Sequence, residues 1–398
     1  MKILVIHNQY KSQGGEEAVV SAEIDLLREK GHQVVPFFAS NEDLERGGFW
    51  GMIMRPFRLI WSWPAYLKVR EIIRKEKPDL AHIHNTFFVL SPSVYYACHS
   101  EGLPVVQTLH NYRFVCPFGI LYKDGQFCRQ CLDKGIRMSL GNACGTKSIA
   151  WRVSIYLVLK VHQMLGTFKK YITTYIALSD FSRRKFIEAG FAADRIRLKP
   201  NFINQDPGFT AIKEDFVLYA GRLSPEKGVD LLLGAWEKHR LPRLVIIGSG
   251  AQADEFSGYA AAHRLNITFL GHQPTDVVLD HMKRASLAVI PSRCNENFPR
   301  TIVEAFSCGT PVIASNNGAI AEIVADGVTG ILFKSGDADD LAGKVQSARA
   351  DPAVMAQIAR NARKAYEEKY TAQTNYQMLK GIYEETINNY AKKSPGGL

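Results

Sequence analysis

The sequence predicts an α/β chain of two Rossmann-like parallel-sheet domains, and three observations carry that expectation. Short apolar runs alternate with helical patterns along its 398 residues, the order that lays parallel strands beneath helices on both faces. The alternation lapses at KPNFINQDPGF, a polar segment near residue 205, and then restarts. The length is enough for two cores of ordinary size.

In chain order, KILVIH, QVVPFF, DLAHIH, PVVQTLH, YIALS and IRLKP are the strand candidates of the first half. Between the first two, AVVSAEIDLLREKG spaces its apolar residues as a helix does and stops at Gly31, just after a lysine. The second half offers FVLYAGR, RLVIIG, ITFLG, LAVIPS, PVIAS and GILF as strands. It turns helical from roughly Ala338 onward, with a break at Tyr370 and Thr371. The expected domains are 1–204, holding a cysteine-containing insertion at about 116–144, and 205–370. Residues 371–398 form a last helix ending in a disordered SPGGL.

An apolar fraction of 46% suits soluble α/β domains. Met1 leads straight into a strand rather than a secretory leader, and Arg55, Arg58, Arg152 and Lys160 interrupt the two longest apolar stretches. The expectation is a cytoplasmic protein, at most peripheral at the inner face of the plasma membrane. The net charge of +10 belongs to the first half: residues 1–200 hold 28 Lys and Arg against 17 Asp and Glu, and the rest 21 against 22. That half suits a phosphate-bearing acceptor or an anionic lipid surface. The basic residues are scattered and no recognition motif accompanies them, which argues against nucleic acid. GFWGMIMRPFRLIWSWPAYLKVREIIRKEK mixes Trp50, Trp61 and Trp63 with arginines, as a membrane interface does. The same tryptophans also suit a core or an acceptor cleft, and Pro56 and Pro64 limit any continuous helix.

Chemistry concentrates between Arg293 and Phe333, RCNENFPRTIVEAFSCGTPVIASNNGAIAEIVADGVTGILF. Pro299 opens a helix, Glu296 precedes it and Glu304 lies inside it. The amides of Arg300, Thr301 and Ile302 then lie between the carboxylates at the positive end of the helix, a place for an anion. The plainer reading is an Arg300–Glu304 ion pair at i,i+4. In FVLYAGRLSPEKG, Arg222 and Lys227 follow a strand, where a guanidinium fork and an ammonium can neutralise a diphosphate without metal. HNQYKSQGGEEAVV sets Gly14 and Gly15 between the first strand and helix, without the spacing of a dinucleotide fingerprint. PVVQTLH puts His110 at the carboxyl edge of its sheet, where α/β folds bind ligands. His82 and His84 share one strand face and read as core or cleft lining.

Together these segments resemble retaining glycosyltransferases of family 4, across nearly the whole chain and most strongly from 216 to 333. The resemblance implies the GT-B architecture, two such domains facing an interdomain cleft, with the last helix crossing back to the first domain. It implies a nucleoside diphosphate sugar as donor, retention at the anomeric carbon, and metal-independent catalysis without a required cofactor. Glu296 would contact donor-sugar hydroxyls, Glu304 the ribose, Arg222 and Lys227 the diphosphate, and His110 the transferred sugar. Gly14 and Gly15 would lie over the donor phosphates. Asn297, Phe298, Thr301 and Ile302 complete the donor-binding set. Pro299 departs from the family pattern, because many members carry glycine there and an N–H contact is lost.

Cys116, Cys128, Cys131 and Cys144 form C-x11-C-x2-C-x12-C, compatible with a closed structural zinc site and equally with unpaired thiols in a long insertion. The function expected is transfer of a sugar to a glycan or lipid-linked acceptor in cell-surface polysaccharide or glycoconjugate synthesis. A nucleotide-sugar epimerase of the same architecture and a non-catalytic nucleotide-sugar-binding protein on a membrane are the alternatives; a dehydrogenase lacks its fingerprint.

Overall fold

The computed structural model describes residues 1–10, 14–41, 57–142, 144 and 148–393; Trp50, Pro56 and the SPGGL terminus lie outside them. The strands are β1 (Lys2–Gln9), β2 (Gln33–Ser40), β3 (Leu80–Asn85), β4 (Val105–Leu109), β5 (Tyr122–Lys123), β6 (Gln126–Phe127), β7 (Thr174–Ala177) and β8 (Ile196–Leu198). They continue as β9 (Glu214–Ala220), β10 (Arg243–Ile247), β11 (Ile267–Gly271), β12 (Ala285–Ile290), β13 (Val312–Ser315) and β14 (Ile331–Phe333). Two compact units result: Met1–Gly119 with Arg129–Asn204 and Asn375–Leu398, and Ile120–Cys128 with Gln205–Thr374.

The first unit is built on a six-stranded parallel sheet in the order β2-β1-β3-β4-β7-β8. Helices cover such a sheet on both faces, so its central strands are apolar almost without interruption. Ile3, Val5, Leu80, Val106 and Ile176 of the sheet pack with Val20, Ile24 and Leu27 of the helix Gly15–Glu29. Leu379, Ile382 and Tyr383 of the helix Ala372–Lys393 close the same cluster. Each fully buried aliphatic side chain there contributes about 1.5–3 kcal/mol.

The second unit repeats the plan, in the order β11-β10-β9-β12-β13-β14, all parallel. β10 and β11 extend from one side of β9, and β12 to β14 from the other. The strand order therefore reverses between β9 and β12, whose carboxyl ends lie side by side. An α/β sheet opens its ligand crevice at such a switch point. The short antiparallel hairpin β5–β6 belongs to this unit, with the Tyr122 hydroxyl 3.5 Å from the carbonyl of Pro225.

As the sequence suggested, no continuous helix runs through the described part of the tryptophan-rich segment: it breaks at Trp61 and Ser62, just before Pro64. Pro64 occupies the first turn of Trp63–Glu76, where a missing N–H costs no helical hydrogen bond. Trp61 packs beside Tyr96, whereas Trp63 is 61% exposed.

Candidate active site

At the switch point, the chain leaves β9 through Gly221 and Arg222, makes a single 3-10 turn over Pro225–Lys227, and enters the helix Val229–Lys238. Gly228 joins turn to helix at φ +71°, and a Cβ there would lie 2.2 Å from the carbonyl oxygen of Pro291. Only glycine lets the two loops come this close. The amides of Arg293 and Cys294 donate to the carbonyl of Glu226 at 2.9 and 3.3 Å, fastening the loop after β12 to the turn.

That fastening puts the Lys227 ammonium 2.8 Å from the Glu296 carboxylate, whose other oxygen accepts from the Ser292 hydroxyl. Burial disfavours charge on both groups, yet their mutual attraction prevails. The Lys227 pKa is raised and that of Glu296 lowered, so the pair stays ionised. An ammonium carries three donors, and Glu296 engages one. Arg222 is two-thirds exposed, and among the described residues its guanidinium pairs with Glu226 alone, at 3.4 Å, which leaves it available to an anion.

The helix Arg300–Ser307 begins beside this pair. Its N-cap is Pro299, with no side-chain cap, and the Thr301 hydroxyl reaches the carbonyl of Ala220 at 3.4 Å, tying the helix start to the end of β9. The amides of Arg300 and Thr301 have no acceptor among the described residues. Ile302, expected as a third free donor, is not one: its amide donates to the Pro299 carbonyl at 3.1 Å, tightening the first turn. Glu304 lies 3.2 Å from Arg300 in the i,i+4 ion pair that was the plainer reading of these residues. Asn297 and Phe298 are buried, and the Phe298 ring packs edge-on to Tyr370 at 5.9 Å.

In the first unit, Gly14 has extended backbone and its amide donates to Glu17 at 3.0 Å, as does that of Tyr10. The Gly14 donor expected to meet a phosphate is thus occupied, while Gly15 opens the helix with free space about it. Beside this turn sit groups that the sequence reading did not single out. Glu16 is half-buried; desolvation and then Glu17 push its pKa up to about 8, against the pull of Arg113 and Asn111. The Arg113 guanidinium lies 5.3 Å from the rings of Phe87 and Phe88. His110 stacks on His84, with Nε2 of the former 2.9 Å from Nδ1 of the latter. A cavity of about 20 Å³ adjoins both, lined also by Asn111 and Arg113. A larger one, about 320 Å³, has Phe114, Phe168 and Phe191 in its wall and suits an apolar group better than a diphosphate.

Among the described residues, no three of Cys116, Cys128, Cys131 and Cys144 bring their sulfurs within 4.8 Å of one another, so the four-sulfur site is not assembled. The three-ligand grouping that does occur is Glu23, His82 and His84. There Lys199 already gives Glu23 its cation, and Tyr383 and Thr108 engage both nitrogens of His82. These contacts fit a hydrogen-bonded core better than a metal centre.

Comparison with known proteins agrees with this architecture. Residues 13–206 match the family model described as Glycosyltransferase Family 4, and residues 203–365 that described as Glycosyl transferases group 1. This chain belongs to the family 4 type of GT-B glycosyltransferases. A 42.6 kDa protein from the cps region of Klebsiella pneumoniae is 27% identical over 361 residues, 81% of this chain and 87% of the relative. The lipopolysaccharide 1,2-N-acetylglucosaminetransferase of Salmonella typhimurium is 31% identical over 218 residues, 51% of this chain and 56% of that enzyme. Among solved structures, HepE of Anabaena in complex with UDP-glucose has a TM-score of 0.68 at 22% identity, covering 96% of this chain and all of that one. Sucrose-phosphate synthase of Thermosynechococcus elongatus has a TM-score of 0.71 at 19% identity, covering 98% and 99%. These likenesses establish the GT-B fold of the glycosyltransferase.

Stability should depend on pH through the first unit. Burial pushes His7 and His82 down to about 4, against the attraction of Glu17 and Glu23 respectively, so both stay neutral while the unfolded chain protonates near 6.5. The unfolded state then binds more protons between those values, and stability falls as pH drops. Glu16 acts oppositely between 4.5 and about 8, because burial keeps it protonated where the unfolded chain is ionised. These histidines, with His84 and His110 also depressed by burial, outweigh one glutamate, so urea midpoints should fall from pH 6.5 to 4.5, and more steeply in Glu16→Gln. Midpoints that rise on acidification would contradict this account.

Proposed function

We propose that this protein is a retaining glycosyltransferase that moves a sugar from a nucleoside diphosphate sugar to a glycan or lipid-linked acceptor, without metal in the chemical step. The observation that carries this reading is the Lys227–Glu296 pair, set beside the exposed Arg222 and the free amides of Arg300 and Thr301. Two cations and a helix N-terminus form a preorganised electrostatic site for a departing diphosphate, which needs stabilisation as positive charge develops at the anomeric carbon.

Glu296, held by Lys227 and Ser292, orients the sugar hydroxyls, and His110 stands beside the transferred sugar. Glu304 exchanges Arg300 for the ribose when the donor binds. The acceptor oxygen attacks the anomeric carbon on the face from which the diphosphate leaves; the acceptor proton passes to the departing phosphate oxygen as the glycosidic phosphate bond breaks. HepE, crystallised with UDP-glucose, supports a nucleoside diphosphate donor. The cps-region relative supports a place in cell-surface polysaccharide synthesis.

Lys227→Gln tests the clamp, because glutamine can keep a hydrogen bond to Glu296 while removing the cation. We expect kcat/KM to fall roughly 10²- to 10³-fold, the effect of removing one preorganised electrostatic donor, with the thermal midpoint little changed. NMR should find the anomeric configuration retained, and diphosphate release should require the acceptor. Near-normal turnover in the variant, or acceptor-independent consumption of the donor as by an epimerase, would refute the proposal.

We further propose peripheral association with an anionic membrane surface. No described helix is long and apolar enough to cross a membrane. The helix Trp63–Glu76 exposes Trp63 and Leu67 one turn apart, with Lys68, Arg74 and Lys75 on the same helix. Aromatic and aliphatic side chains beside lysine and arginine suit the headgroup boundary. Vesicles containing phosphatidylserine should carry the protein upward in flotation at low salt, and Trp63→Ser with Leu67→Ser should cut the bound fraction several-fold. Failure of the parent protein to float would remove this part of the proposal.

A further inference from the structure

We propose that Glu23, acting through His84, fixes His110 as the tautomer protonated at Nε2, leaving a bare Nδ1 as a hydrogen-bond acceptor. Glu23 and His84 are thereby positioning residues for His110. The functional consequence rests on the reading above that His110 stands beside the transferred sugar; the tautomer itself does not.

The argument begins at the buried end of the chain of contacts. Glu23, on the helix Gly15–Glu29, is 1% exposed, and one carboxylate oxygen is taken by the fully buried Lys199 ammonium. The other, Oε2, has no hydrogen-bond partner. It lies 3.7 Å from His84 Nε2 and 3.8 Å from His82 Nδ1. The nitrogens of His82 are committed elsewhere, Nε2 to the Thr108 hydroxyl at 2.8 Å and Nδ1 to the Tyr383 hydroxyl at 2.7 Å. His84 is therefore the imidazole that must answer Oε2.

A bare nitrogen at that point would set a lone pair against a carboxylate oxygen within a dry core, where unscreened repulsion is costly. A protonated Nε2 meets the same oxygen favourably. A neutral imidazole carries one proton, so His84 Nδ1 is then bare and can only accept. Its neighbour at 2.9 Å is His110 Nε2, which must donate. His110 in turn has its single proton on Nε2. Burial first, and then the neighbouring imidazoles, hold the pKa values of His84 and His110 well below the usual histidine range, so neither ring escapes by taking a second proton.

His110 follows β4 at the carboxyl edge of the sheet, and its Nδ1 has no partner among the described residues. A hydroxyl meeting that nitrogen must donate its proton to it, which leaves the oxygen lone pairs for other donors. The buried carboxylate thus decides the polarity of a contact two imidazoles away.

Selective ¹⁵N labelling of histidine with NMR reads the tautomer directly, with His110→Gln used to assign the resonance. His110 and His84 should both show protonated Nε2 and bare Nδ1 in the unmodified protein. Glu23→Gln should reverse both: lysine only donates, so the carboxamide oxygen must face Lys199 and its NH2 must face His84 Nε2. A His110 protonated at Nδ1 in the unmodified protein overturns the proposal, and that measurement decides the matter even if Glu23→Gln fails to fold. A folded Glu23→Gln with an unreversed tautomer overturns it equally. In the same variant the donor KM should rise about fivefold, the scale of one neutral hydrogen bond, with kcat less affected. A reversed tautomer with unchanged donor KM would instead count against the place of His110 beside the sugar while leaving the relay intact.

Discussion

The charge pair between Lys227 and Glu296 is the constraint around which the second unit's site is arranged. Each group is half-buried, and burial opposes its charge until the partner's attraction outweighs it. Their meeting requires the loops after β9 and β12 to touch, which requires the strands to be neighbours and Gly228 to lack a side chain. It also requires the backbone of Glu226 to accept two amides from the loop opposite. A mutual ion pair keeps a lysine extended and oriented while its remaining protons stay available. An anion placed there would meet a cation already in position, with little reorganisation required.

The first unit carries its own buried pair, Lys199 with Glu23, and uses it differently. No exposed donor is being presented. The pair sits under a row of histidines on β1, β3 and the end of β4, and its uncompensated oxygen gives that row a direction. Tyr383, arriving from the helix Ala372–Lys393, saturates the one imidazole that could otherwise compete. Buried polar networks of this kind are worth keeping only when their members agree on who donates.

Much of this was legible in the sequence. The alternation of strand and helix patterns gave all twelve strands of the two sheets, because parallel strands buried on both faces leave continuous apolar runs. Lys227 and Glu296 were both marked out, since each follows a strand end, and strand ends at a switch point converge. What failed to show depended on distances the chain does not declare. Glu23 and Lys199 are 176 residues apart, and His82 and Tyr383 are 301 apart. No local pattern links such partners. The Ile302 amide was misread because a single i→i−3 bond, settled by the backbone of Pro299, consumes it. The cysteine spacing described a plausible ligand set, but spacing says nothing of the path of the loop between the sulfurs. The pairing of Glu304 with Arg300 was legible, because helix spacing alone places side chains four residues apart together.

The helix Ala372–Lys393 has one more implication, for biogenesis. Its Leu379, Ile382 and Tyr383 complete a core whose other members all precede residue 180. A ribosome delivers those earlier residues long before their last packing partners emerge. The usual order, in which the leading domain matures first during translation, is therefore inverted. The trailing unit acquires all of its residues by Thr374, while the leading one still lacks the helix that packs Leu379, Ile382 and Tyr383 onto its sheet.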